Sequence, residues 1–246
     1  MNKFLNKVDS LAIKARPWIP FTTLNSVWRM MGKDTKTVLD IGCGKGEPMK
    51  FINRQKLFYT VGVDVFKPYL QDDKKAGTHN EYVQCNVQRL PFKEKSFDTV
   101  ICMEVLEHFE KEEGEKLLQI MEEHARKEVI LSTPIGKYNQ KAYDGNASQE
   151  HRYTWKPSQL KDKGYEVKVL GLRNMGGDDG IIARLPNIIK PFGILLWVLA
   201  GPLVYFLPNW AGEVVCRKRL APRSLVENNG VNENMSCEHS NLSVKQ

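Results

Sequence analysis

The chain has 246 residues, and its 41% hydrophobic and 26% charged side chains match a soluble globular domain, which excludes collagen-like and low-complexity classes. Its five cysteines are odd in number and include no C-x-x-C pair, so a disulfide scaffold or cysteine-paired zinc site is excluded in favour of reduced thiols. The net charge of +7 suits nucleic acid or an anionic membrane, but lysines interspersed with acids through the middle of the chain read as a solvated surface.

Residues 1–35 form a basic and apolar lead-in. Phe4, Leu5, Val8, Leu11 and Ile13 approximate a helical stripe with Lys3, Lys7, Lys14 and Arg16 among them, and Trp18, Phe21 and Trp28 follow. The stripe suits either a cap helix over a ligand or an interfacial helix meeting membrane. Met1 to Ser10 is polar, so no signal peptide is expected.

Thr37 to Gly46 is the organising stretch. Val38, Leu39 and Ile41 make a short apolar strand, Gly42, Gly44 and Gly46 make a turn, and Glu47-Pro48 opens a helix with proline in its first turn. Glycine lets backbone approach a bound molecule closely. Glu47 stands where a dinucleotide fingerprint has its third glycine and is poor company for a pyrophosphate, whereas Asp40 at the strand end suits a cationic ligand. A second strand, Tyr59 to Asp64, ends in a carboxylate about 20 residues beyond the turn, the spacing of a ribose-binding acid. Asp64 could instead cap the helix near Lys67-Pro68.

Further strands are expected at Glu81–Cys85, Ser96–Cys102, Glu128–Ser132, Tyr165–Leu170 and Glu213–Lys218, with an amphipathic helix over Lys111–Ala125. Glu104 and His108, four apart, would share a face on a helix. Gly136 to Tyr153 is a polar loop holding Tyr138, Asn139, Gln140, Tyr143, Asp144, Asn146 and His151. Lys190 to Glu213 carries no charge between its ends and is crowded with Phe192, Leu195, Leu196, Trp197, Leu199, Leu203, Tyr205, Phe206 and Trp210. Gly201-Pro202 divides the run into pieces too short to span a bilayer. Residues 221–246 are polar and aperiodic, and a disordered tail is expected there.

The glycine stretch, Asp64 and the run Phe97-Asp98-Thr99-Val100-Ile101-Cys102-Met103-Glu104-Val105-Leu106-Glu107-His108-Phe109 together resemble class I S-adenosylmethionine-dependent methyltransferases, of the type that acts in ubiquinone and menaquinone biosynthesis. The resemblance covers roughly Val38 to Leu172 plus the last strand. It implies a Rossmann-like α/β fold with a seven-stranded, mostly parallel, doubly wound sheet and an antiparallel last strand, over residues 36–220. It implies S-adenosylmethionine as cofactor, bound by Asp40, Gly42, Cys43, Gly44, Gly46, Asp64, Val65, Asn86, Val87 and Met103, with Asn86 near the adenine.

In that fold the sixth strand ends and the seventh begins at one edge, so both ends of the insertion at 184–212 lie on the same side of any membrane. A hairpin dipping into one leaflet through 191–210 is therefore expected, the alternatives being a homodimer face or a buried core helix. The protein is expected to be cytoplasmic and peripheral or monotopic at the membrane. Methyl transfer from a sulfonium needs an aligned acceptor and, at oxygen, a base. His108, His151 and Glu104 are the catalytic candidates.

Glu104, Glu107, His108 and His151 also resemble the metal-binding pattern of ubiquinone-pathway O-methyltransferases and small-RNA 3′-end methyltransferases. The metal-free reading is preferred, since the same helix-start wording occurs in methyltransferases without a metal. The expected function is methylation of a small or lipid-like acceptor, at oxygen, near a membrane. The alternatives are a metal-dependent RNA 3′-end methyltransferase, for which no clustered arginine and aromatic patch is present, and a non-catalytic membrane-associated protein of this fold.

Overall fold

The computed structural model describes residues 21–136, 142, 144–173, 181–186, 188–200, 203–207 and 210–221. Seven strands form one sheet: β1 (Thr37–Ile41), β2 (Tyr59–Asp64), β3 (Glu81–Gln84), β4 (Phe97–Met103), β5 (Ala125–Pro134), β6 (Glu166–Leu172) and β7 (Ala211–Arg219). Their order is β3-β2-β1-β4-β5-β7-β6, with β7 antiparallel to both neighbours and the pairings among β1 to β5 parallel. This is the expected doubly wound sheet. Its strand order reverses between β1 and β4, and ligands of such sheets bind outside the carboxyl ends at that point.

The helices are α1 (Thr23–Met30), α2 (Glu47–Ile52), α3 (Lys67–Ala76), α4 (Lys111–His124), α5 (Pro157–Asp162), α6 (Ile181–Arg184), α7 (Lys190–Ala200) and α8 (Leu203–Phe206). Central strands read as unbroken apolar runs because both faces of the sheet are covered. One core joins Leu39, Ile41, Val100, Leu131 and Val214 to Leu117, Met121, Trp155 and Leu160 on the α4 and α5 side. The opposite core joins Val38, Ile101 and Ile130 to Val27 and Met30 of α1 and Met49 and Ile52 of α2.

Helix α4 starts where Glu110 and Glu113 form a reciprocal capping box. Its Gly114 lets the buried Trp155 ring lie close, and the indole N–H donates to the Leu106 carbonyl at 3.4 Å. That contact ties the turn after β4 to the segment that follows His151.

The chain leaves β6 and re-enters β7 at one sheet edge, since Leu172 pairs with Ala211 and Glu213 pairs with Pro134. The insertion packs on the sheet through the buried Val204 of α8. Phe192, Leu195, Leu196, Leu199, Leu203 and Trp210 are exposed, Leu199 to 65%. Among the described residues no helix is long and apolar enough to cross a membrane. The lead-in stripe with Trp18, the loop residues Tyr138, Asn139, Gln140 and Tyr143, the Gly201-Pro202 break and the tail beyond residue 221 lie outside the described residues.

Candidate active site

The turn after β1 is held from below and open above. Gly42, Gly44 and Gly46 adopt φ of 68°, 56° and 77°, the left-handed region that glycine enters freely. The Gly42 and Cys43 N–H groups donate to the Val63 carbonyl at 2.8 and 3.0 Å, fixing the turn to β2. A Cβ on Gly42 would lie 2.4 Å from Val105, and one on Gly46 2.3 Å from the Asp73 carboxylate. A Cβ on Gly44 would meet nothing within 4 Å. The open space is thus on the ligand side of Gly44, a cradle at the switch point.

Asp64 ends β2 beside that cradle. Its Oδ2 accepts from the Gly44 N–H at 2.9 Å and its Oδ1 from the Phe66 N–H at 2.8 Å. Burial raises this carboxyl, and the backbone donors from Phe66 and Gly44 oppose the rise. The second bond holds the Phe66 backbone that leads into α3. Each carboxylate oxygen keeps capacity for a ribose hydroxyl.

The neighbouring candidates lie around the same turn. Val65 is exposed, while Val87 and Met103 are buried. Asn86 is exposed, and its carbonyl oxygen accepts from the Gln88 N–H at 2.9 Å, so its turn role and any adenine contact share that oxygen. Cys43 is buried, with Sγ near Gly62 and His79, so it offers a ligand backbone rather than thiol. Asp40 is buried and its Oδ2 is bonded to His79 Nε2 at 3.0 Å. It therefore faces a histidine that the sequence reading passed over. The cradle is flanked by the carboxylates of Asp40 and Asp64, which suits a ligand carrying sulfonium and ammonium groups.

The carboxyl ends of β4 and β5 form the facing wall. Here one expectation is corrected: Glu104 and His108 do not share a helix face. Glu104 has φ of 54°, and only Leu106–His108 forms a single 3-10 turn. The left-handed step lets the Glu104 N–H donate to the Ser132 carbonyl at 3.1 Å while the Ser132 hydroxyl donates to Glu104 Oε1 at 2.6 Å. Strained backbone of this kind gathers at functional sites. Glu104 keeps solvent access along the crevice, but enclosure by protein, with the charges of Glu213 and Glu107, raises its carboxyl well above the usual range.

Glu107 is buried, and its Oε2 accepts from the Thr133 hydroxyl at 3.0 Å. Burial pushes this carboxyl up as well, with Glu213 adding to the effect. The Glu107 carbonyl accepts from the N–H groups of Arg152 and Tyr153 at 2.9 and 3.1 Å. Those bonds bring His151 to the site, its ring centroid 5.0 Å from that of His108 and its Nε2 4.0 Å from Glu107 Oε1. Glu107, His108 and His151 offer donor atoms mutually within 4.8 Å. Glu104 does not join that set. His108 Nδ1 lies 3.1 Å from the Glu150 carbonyl, and the Glu104 carbonyl also bonds the ring, so a neutral imidazole can donate to one of these two carbonyls at a time. Burial lowers the pKa of His108, favouring the neutral form a base requires.

Glu213, Ser132 and Thr133 were not singled out from sequence. The signal for Glu213 was its place at the start of the antiparallel strand, which register puts opposite Pro134.

Residues 39–132 match the model of a methyltransferase domain family. The ubiquinone biosynthesis O-methyltransferase of Rickettsia bellii is 24% identical over 188 residues, covering 72% of this chain and 77% of that protein. The tRNA U34 carboxymethyltransferase of Campylobacter curvus is 28% identical over 106 residues, 42% of this chain and 35% of that one. The magnesium protoporphyrin IX methyltransferase of Synechocystis with bound SAH superposes with a TM-score of 0.50 at 16% identity, covering 81% of this chain and 82% of that one. The match spans less than a third of the length of the curated relatives matched first. The strand order and the family match agree: residues 39–132 carry a methyltransferase domain of the class I S-adenosylmethionine-dependent type.

Proposed function

We propose that the chain transfers a methyl group from S-adenosylmethionine to oxygen on a small or lipid-like acceptor presented at a membrane surface. The cofactor, when bound, supplies an electrophilic methyl on a sulfonium. Gly44 and Asp64 would hold its adenosine and Asp40 would face its methionine end, with Val65, Asn86, Val87 and Met103 around them. His108 would take the proton from the acceptor hydroxyl, with His151 beside it. Glu104 and Glu107, kept toward their neutral forms, shape the floor without repelling an incoming oxygen.

The observation that carries the lipid-like acceptor is the exposed apolar surface of α7 and α8, rooted at the sheet edge that holds the two histidines. Arg184 and Lys190 border it and suit anionic headgroups. The similarity to a protein named as a ubiquinone biosynthesis O-methyltransferase supports an oxygen acceptor on a greasy substrate. The test is liposome co-sedimentation of the full chain and of a chain lacking residues 192–207, with calorimetry for S-adenosylmethionine on both. Segment-dependent liposome binding with unchanged cofactor affinity is expected. A monodisperse intact chain that stays in the supernatant would sink the membrane reading, and dimerisation lost with the segment would make the same face a homodimer interface.

RNA is the second reading, favoured by the charge of +7 and the similarity to a tRNA-modifying enzyme. Salt-dependent binding of transfer RNA by the intact chain would support it. In the first reading the histidines act without a metal, and EDTA leaves turnover unchanged. A loss of more than tenfold, restored by magnesium or manganese, would instead assign Glu107, His108 and His151 to a divalent cation.

A further inference from the structure

Beneath the glycine turn lies a buried polar network of which the methyl-transfer reading uses only Asp40. His79, in the turn between α3 and β3, sits between two carboxylates: Nδ1 is 2.8 Å from Asp73 Oδ2 of α3, and Nε2 is 3.0 Å from Asp40 Oδ2 of β1. All three side chains are closed to solvent, His79 and Asp73 completely. The remaining groups facing the ring are Tyr82 of β3, whose hydroxyl accepts from the His79 N–H at 3.0 Å, and the buried Cys43 of the turn. Asp64 of β2 contributes charge nearby.

A neutral imidazole donates from one nitrogen only, so it could satisfy one of these carboxylates and would press a lone pair against the other. Two ionised carboxylates with no cation between them would repel in a site without water. An imidazolium resolves both problems, because both nitrogens then donate. The two carboxylates hold the ring's pKa up at about 9, against the opposing effect of burial.

Cys43, Asp73 and His79 also place donor atoms within 4.8 Å of one another. A tetrahedral cation with bonds of about 2.0–2.1 Å would hold its ligand atoms roughly 3.3 Å apart. The 2.8 Å between His79 Nδ1 and Asp73 Oδ2 is that of a hydrogen bond.

The network also carries the turn. Asp73 Oδ1 lies where a Gly46 side chain would begin, and the His79 ring lies 3.0 Å from where a Gly62 side chain would begin on β2. Asp40 stands two residues before Gly42. One ring therefore joins the end of β1, the body of α3 and the approach to β3.

We propose that His79 is a positioning residue of the cofactor site: as an imidazolium clamped between Asp40 and Asp73, it sets the Asp40 carboxylate and the glycine turn in the form that receives the methionine end of S-adenosylmethionine. This rests on the reading that the cradle binds that cofactor. If the wild-type chain fails to bind S-adenosylmethionine in calorimetry, that reading falls first. If it binds, His79→Gln is expected to weaken binding about tenfold or more at pH 7, because one buried carboxylate loses a charged donor.

Acting through Asp40 has a sharper signature. In an Asp40→Asn background the same change at His79 should add little, since the carboxylate it orients is gone. Wild-type affinity should be flat from pH 6 to 8 and decline as pH rises through about 9, and His79→Gln should lack that decline. Nitrogen-15 NMR of the wild-type ring supplies a measurement that needs no variant to fold. Both ring nitrogens should be protonated at pH 7.5, and the titration midpoint should rise by about one unit on cofactor binding if the protonated form binds tenfold tighter. A neutral ring at pH 7.5, an unmoved midpoint, or a folded His79→Gln chain with wild-type affinity would each overturn the proposal. So would a stoichiometric metal released by acid from the native protein but missing from a folded His79→Gln chain.

Discussion

The two walls of the crevice are built differently. On the β1 to β3 side, the glycine turn, Asp64, Asp73 and His79 are joined by short hydrogen bonds with protein packed beneath them. On the β4 to β7 side, His108 rides on a single turn and His151 on a loop, and the flanking helices leave apolar side chains in solvent. A site for one invariant small molecule gains from such preorganisation, because its groups need no reordering on binding. A wall that meets the acceptor can remain adaptable, since fold alone does not set what is methylated.

The largest way to break that contrast lies on the rigid wall. Asp64→Ala strands the Gly44 and Phe66 N–H donors and removes the proposed ribose acceptor, and a loss of roughly 100-fold or more in S-adenosylmethionine affinity, about 3 kcal/mol, is expected by calorimetry. Normal affinity would show that Asp64 is not the ribose residue.

Two alanine substitutions in the turn sharpen the contrast further. Gly46→Ala drives a methyl into Asp73 at a left-handed position, and thermal melting should show a loss of about 2–3 kcal/mol. Gly44→Ala meets no protein atom, so it costs about 1–2 kcal/mol for backbone conformation alone, yet it fills the cradle and should raise KM for the cofactor about tenfold. Equal effects of the two on KM and on melting would erase the distinction between a packed underside and an open ligand face.

On the adaptable wall, Leu195→Glu with Leu199→Glu should change stability by less than about 0.5 kcal/mol each, since both are exposed, while abolishing liposome binding. The smallest effect concerns pH. Because burial raises Glu107, the folded chain holds a proton that the unfolded chain releases, so stability falls as pH rises from about 4.5 to about 8. Glu107→Gln should remove that fall and lift Tm at pH 8 by about 2–4 °C. An unchanged pH profile would show that this carboxyl ionises freely.

Legibility in the sequence follows the range of the interactions. Val38, Leu39 and Ile41 declare a buried strand locally, and three glycines at spacing two declare the turn, so the cradle and Asp64 could be placed without coordinates. His79 could not, because its partners lie 6 and 39 residues away and no periodicity marks it. Glu104 misled for the opposite reason: four residues from His108 it fits a helix, but its bonds to Ser132 across the sheet override that local preference. The pairing of His151 with His108 depends on backbone bonds from Glu107 to Arg152 and Tyr153, which no side-chain pattern reveals.

The roots of the hydrophobic hairpin carry one more consequence. Leu172 and Ala211 are direct partners across β6 and β7, so the two ends of the segment are held about 5 Å apart by the sheet itself. Closure of the loop is thus already secured, and lengthening or replacing what lies between those residues adds a penalty that grows only with the logarithm of its length. Under the proposed function, a segment grafted between positions 172 and 211 that keeps the Val204 contact with the sheet would change the acceptor surface while β1, β2 and the cradle keep their register.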